Sequence, residues 1–195
     1  MKLRHIFPAL VLAGTAVGAQ AVPVAGPTNT STGQVAIGGH VASLCVLGAP
    51  SQAAIDLGQL INTSGARTGR IAAFGPQQVT LPGSFCNFAG THLTIAANAM
   101  IANDATAVQP GFARAVNYTA EVDNWATTPA VATTAASAGG GTPSASASGG
   151  VQPTAKLADL QLLLSSFTVP SDLILVAGGY NGTVTITLGP AATAE

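Results

Sequence analysis

The chain has 195 residues, with six Lys+Arg, seven Asp+Glu and three His, and a formal net charge of −1. Only 7% of residues are charged, where an ordinary soluble domain has about 25%; this near-neutral balance excludes a basic nucleic-acid face, a polybasic membrane patch and an acidic tail. Hydrophobic residues make up 48% but aromatics only 5%, a mix that builds a core of short strands and offers few groups for acid–base chemistry.

The start reads as an export signal. Lys2, Arg4 and His5 form a basic head, Ile6 to about Val17 is apolar, and Ala19-Gln20-Ala21 is a small-residue cleavage pattern. The apolar run is too short to span a bilayer, which takes about 20 residues, and no later stretch looks like a transmembrane segment. Cleavage after Ala21 leaves the seven acidic residues against Arg67, Arg70, Arg114 and Lys156. The expected route is export, through a periplasm to the cell surface. In an oxidising compartment the two cysteines, Cys45 and Cys86, favour a disulfide. A zinc site is the weaker alternative, since after cleavage only His40 and His92 join them as ligands of that kind. A catalytic thiol is weaker still.

Residues 22–32 are rich in Pro, Thr and Ser and read as a mobile arm. From Gly33 the pattern changes: Val35, Ile37 and Val41 fall on one face at period two, and the strand pattern runs on to Val46. Further strands are expected at Ala54–Leu60, Gln77–Leu81, Thr91–Ala96 and Ala115–Asp123, separated by Gly, Pro and Asn clusters. Residues 127–154 carry no charge, no aromatic and no Leu, Ile or Met. Such a segment is expected to be a flexible surface insert, with a linker between two small domains as the alternative. Leu160–Val169 and Leu173–Val176 are apolar, and 157–164 also fits helical spacing. Thr183–Leu188 alternates cleanly, with Val184, Ile186 and Leu188 inward and threonines outward. Asn181-Gly182 is either a hairpin turn or the start of that strand, with the turn at Gly178-Gly179.

Groups for catalysis are few. There is no nucleophile elbow, no H-E-x-x-H and no phosphate-cradling loop, and Gly139-Gly140-Gly141 lies in low-complexity sequence. His40 and His92 read as exposed strand residues, and Glu121 and Asp123 as the solvated face of a strand. Asn29, Asn62, Asn117 and Asn181 each begin an N-x-[ST] pattern, which a Thr/Ser-rich chain makes by chance. Tyr118 and Trp125 read as core or rim aromatics. No catalytic residue, metal site or cofactor is expected.

The order of features resembles the subunits of chaperone–usher pili. Gly33-x-Val35-x-Ile37-x-Gly39-x-Val41 precedes the first cysteine, Ile55-Asp56-Leu57-Gly58 follows it, and Cys86-Asn87 carries the second. Gly179-Tyr180-x-Gly182-Thr183-Val184-Thr185-Ile186-Thr187-Leu188 closes the chain in the manner of the spore coat protein U type, the archaic branch of pilins. The resemblance covers about 33–96 and 172–188. It implies an all-β, incomplete immunoglobulin-like β-sandwich spanning 38–195, whose missing last strand leaves an apolar groove. A periplasmic chaperone fills the groove first; the N-terminal extension of the next subunit then replaces it at an outer-membrane usher. Strand addition of this kind takes affinity from main-chain hydrogen bonds and register from alternate side chains.

On this reading 22–37 is the arm and donor strand. Gly33, Val35 and Ile37 face into a neighbour's groove, and Val184, Ile186 and Leu188 border it. The expected function is a fimbrial subunit that self-polymerises for adhesion or biofilm. A self-complemented monomer and a secreted monomeric β-sandwich that binds a ligand are the alternatives; a small secreted hydrolase has no site.

Overall fold

The computed structural model describes Gly26 and residues 31–104, 107–141 and 144–191. The expected export signal, 1–21, and all of 22–30 except Gly26 lie outside them. The chain divides between His40 and Val41. Before the division, residues 31–40 carry no regular secondary structure and are exposed. After it, the described residues form strands β1 (Cys45–Val46), β2 (Gln77–Cys86), β3 (Thr91–Ala102), β4 (Phe112–Ala113), β5 (Ala115–Asp123), β6 (Ala130–Thr133), β7 (Ala145–Ser148), β8 (Lys156–Thr168), β9 (Ile174–Leu175) and β10 (Tyr180–Pro190). A single 3-10 turn, Pro170–Asp172, is the one helical element among them. No helix among the described residues is long and apolar enough to cross a membrane.

The main pairing runs β1-β2-β8-β5-β3-β10, all antiparallel, so that one sheet bends round toward a barrel. Strand β5 makes the bend. Its first residues pair with β3 (Val116 opposite Met100), while Asn117–Asp123 pair with β8. Strand β6 lies on the other edge of β5, β7 on that of β3, and β4 and β9 form a short parallel pair.

Alternation decides which faces meet. Val79 and Leu81 of β2, Leu93 and Ile95 of β3, Val122 of β5 and Leu160 of β8 point inward and are buried together with Trp125. Full burial of such side chains contributes about 1.5–3 kcal/mol each. The disulfide joins Cys45 to Cys86, residues directly opposite each other on β1 and β2, with Cα atoms 4.1 Å apart. A smaller cluster of Ile71, Val116, Val169 and Leu175 fills one end.

Several expectations need correction. The segment 127–154 is not a flexible insert: β6 and β7 lie within it, and Ala130, Ala132, Thr134 and Ala136 are buried. Ordering an alanine side chain costs almost no entropy, and the backbone here is paired to β5 and β3. Thr134 adds side-chain bonds, its Oγ1 accepting from the Tyr118 amide at 2.9 Å.

Residues 33–44 are not strand: among the described residues no ladder forms along them, and only their end is tied down, Leu44 O accepting from the Asn87 amide at 3.0 Å and the Leu44 amide donating to Asn87 Oδ1 at 2.8 Å. Ala54–Leu60 is also not strand. Gly58 there has φ of +66° and its amide donates to Asp56 Oδ1 at 2.8 Å, a local turn in place of a ladder. Strand β2 runs on through Pro82-Gly83 by a register shift between Leu81 and Ser84, with the Gly83 amide donating to Asp159 Oδ1. Residues 157–164 are strand and not helix. Asn181-Gly182 lies inside β10, so it is not a hairpin turn.

Candidate functional site

Strand β10 pairs with β3 along one edge only; no strand pairs with its other edge among the described residues. Its side chains alternate as the sequence requires: Thr183, Thr185 and Thr187 are exposed, while Val184, Ile186 and Leu188 point toward the core. Yet these three are only partly buried. Their register partners on β3, Ala97, Ile95 and Leu93, are at 0%, 0% and 2% exposure. Side chains on the same face, one strand apart, therefore differ in cover because no strand pairs beyond β10 among the described residues.

The uncovered space is an open groove of about 510 Å³. Val184 and Ile186 form one side. Val79 and Leu81 of β2, Leu162, Leu164 and Phe167 of β8 and Tyr118 of β5 line the groove as well. The opposite wall is the segment from Leu47 to Leu57. That wall is tied down at its start: the Gly48 amide donates to Ser84 Oγ at 2.9 Å, and the Ser51 amide to Thr80 O at 2.7 Å. Gly48 lies so close to the Pro82 carbonyl that a Cβ would come within 1.8 Å of its oxygen; only glycine fits. A second compartment of about 550 Å³ continues past the start of β10, between residues 55–61 and 175–181. The two share Ile55, Leu57, Met100, Tyr180 and Asn181 as lining.

The groove is chemically quiet. Burial pushes the Tyr118 phenol up to about 12, so it stays protonated and donates to Asn98 O at 2.7 Å and Thr183 O at 3.2 Å. Burial raises the Tyr180 phenol as well, opposed by the Arg114 charge, and its hydroxyl donates to Val176 O at 2.9 Å. Outside the groove, Arg67 donates to both carboxylate oxygens of Asp172, and Arg70 to Asp172 Oδ2 and its carbonyl. The Arg67 hydrogen bond holds the Asp172 carboxyl below the usual carboxylate range. This clasp ties the 62–71 segment to the turn at 170–172, which flanks the second compartment.

The structure brings Val184 and Ile186 into the groove. Leu188 lies further along β10, packed on the core and outside the groove's lining. Gly33, Val35 and Ile37 lie on the exposed arm, with Val35 at 87% and Ile37 at 95% exposure. His40 is exposed on that arm and not in a strand; His92 is partly buried on β3. Glu121 and Asp123 share the outward face of β5. No three of the His, Cys, Asp and Glu side chains gather where they could hold a metal among the described residues. The Leu47–Leu57 wall, Tyr118 and Phe167 are groove residues that sequence reasoning missed. Their one signal in the sequence is the apolar Ile55-x-Leu57, whose alternation points to a paired strand.

Comparison of the chain with protein-family models, with curated proteins and with solved structures gives no match in any of the three.

Proposed function

We infer that the chain is a structural subunit of an extracellular fibre, assembled by donor-strand complementation. One observation carries the reading: an edge strand with half-covered Val184 and Ile186 beside an open apolar groove, in a chain whose arm exposes Val35 and Ile37 at the same period of two. Each half of this arrangement lacks what the other has. An alternating edge strand left open is a template for pairing with another chain, and an inserted strand satisfies its free N–H and C=O groups. Gly33, Val35 and Ile37 of one copy enter the groove of the next. Burial of Val35 and Ile37 contributes about 1.5–3 kcal/mol each, and the main-chain bonds add to this.

In finer terms the chain is an incomplete immunoglobulin-like β-sandwich of the pilin kind, exported by the 1–21 signal and kept from aggregation by a periplasmic chaperone before passing an outer-membrane usher. Adhesion or biofilm formation is the role of the fibre. No catalytic step is assigned to it.

The test is the full chain carrying Ile37→Asp. A carboxylate in the groove would have no partner, which costs far more than the apolar contact it replaces. Polymer yield falls to background while the monomer keeps its melting temperature and its disulfide, and a synthetic peptide of residues 31–41 binds that monomer. Unchanged polymer yield refutes the reading. A monomer that binds no such peptide but retains a small apolar molecule in the groove favours a ligand-binding protein instead.

A further inference from the structure

Asn181 and Gly182 form the chain's one Asn-Gly pair; Asn181 lines both groove compartments and Gly182 the first of them. Both residues are exposed. The register between β10 and β3 breaks at this point: Asn181 opposes Ile101 and Thr183 opposes Asn98, so Gly182 alone of β10 has no partner in the ladder. Gly182 carries no side chain to shield its amide. The Asn181 side chain is held in place, its Nδ2 donating to Asn103 Oδ1 at 2.8 Å.

We propose that Asn181 is a deamidation site whose reaction is open while the groove is empty and closed when a strand fills it. This rests on the strand-addition reading of the same groove. The chemistry needs only water. The Gly182 amide nitrogen gives up its proton and attacks Asn181 Cγ, forming a new N–Cγ bond. The Cγ–Nδ2 bond breaks, and ammonia leaves carrying that proton. The resulting five-membered succinimide is opened by water at either carbonyl, giving isoaspartate or aspartate.

Attack requires the Asn181–Gly182 backbone to swing away from extended geometry. An edge strand free on one side, with a ladder break at Gly182, can do so; a strand bonded along both edges cannot. The product alters the groove in two ways. It places a carboxylate in the compartment that Asp56 also lines. The isoaspartyl form further lengthens the backbone by one carbon, which throws the downstream alternation of β10 out of step with an incoming strand. An unfilled subunit thus loses competence with age, and a filled one is protected.

The test uses the full chain carrying Ile37→Asp, aged as a monomer in mildly alkaline buffer with and without the peptide of residues 31–41. Peptide binding is measured separately by fluorescence anisotropy. Chymotryptic cleavage after Tyr180 isolates the peptide that begins at Asn181, and mass spectrometry with isoaspartyl methyltransferase labelling reads the product. The expected result is isoaspartate at 181 without peptide, at least tenfold less with peptide bound, none in Asn181→Gln, and at least tenfold weaker peptide binding by the aged protein. As a second measurement, wild-type monomer and polymer are separated before ageing; the monomer reacts and the polymer does not. No reaction at 181 in the empty monomer overturns the proposal, as does equal reaction with the peptide shown to be bound. A peptide that does not bind at all brings down the strand-addition reading, and the gating with it.

Discussion

Ile95 and Ile186 stand opposite each other on β3 and β10, on the same inward face. They are the same residue with different cover: Ile95 is at 0% exposure, whereas Ile186 is only partly buried and lines the groove. Truncating each to alanine therefore measures how much of the core is missing beside β10. Ile95→Ala removes fully packed atoms and leaves a closed cavity, a loss of about 3–4 kcal/mol within the range for buried Ile. Ile186→Ala removes atoms already partly in water, beside a space already open, so no new cavity forms. Its expected cost is about 1–2 kcal/mol, the transfer term for the part that is covered. Urea unfolding of the monomer, in the Ile37→Asp background, gives both values. With the peptide of residues 31–41 bound, Ile186 becomes covered on both sides and its cost rises toward that of Ile95. If Ile186→Ala costs as much as Ile95→Ala in the free monomer, the core is already complete there and the groove is not a site for a strand.

Removing the Cys45–Cys86 bridge by double substitution to alanine costs about 4 kcal/mol in the chain-entropy account of a loop this long, read as a lower urea midpoint than that of the oxidised protein. Deleting residues 131–151 takes away β7 and most of β6 together with Ala132, Thr134 and Ala136, so cooperative unfolding by circular dichroism is lost; a protein that still unfolds cooperatively would show these strands to be dispensable. Tyr118, raised from its ordinary value of 10.0 to about 12, stabilises the fold fully below pH 10, where it is protonated in both states. As pH climbs from 10 toward 12 the unfolded chain loses its phenolic proton first, and that contribution fades. Tyr118→Phe flattens this alkaline loss of stability, followed by thermal melts across that range.

The features legible in the sequence are those that obey a local rule. Thr183–Leu188 alternates β-branched residues so cleanly that its inward face follows from the residue order alone, and Gln77–Leu81, Thr91–Ala96 and Ala115–Asp123 fall within observed strands. The cysteine pair follows from the even count of two together with the expected export signal. The strands of 130–133 and 145–148 are hidden because alanine and serine carry almost no periodic hydrophobic signal; their burial comes from close approach to β5 and β3, which is a tertiary fact. Strand β2 crosses Pro82-Gly83 because a bulge and the Asp159 carboxylate accommodate the break. At the groove, Val184 and Ile186 are legible from alternation. Tyr118, Phe167 and the Leu47–Leu57 wall are not, since they come from distant parts of the chain and meet only once the sheet has bent.

The central claim is that the free edge of β10 is where another copy adds its strand. Hydrogen–deuterium exchange across Thr183–Leu188, compared between the assembled wild-type chain and the Ile37→Asp monomer, tests it most directly. The account predicts that the alternate amides facing away from β3 exchange freely in the monomer and become protected in the assembly, together with those of residues 33–37. Equal exchange of β10 in both forms, with polymer present, would contradict it.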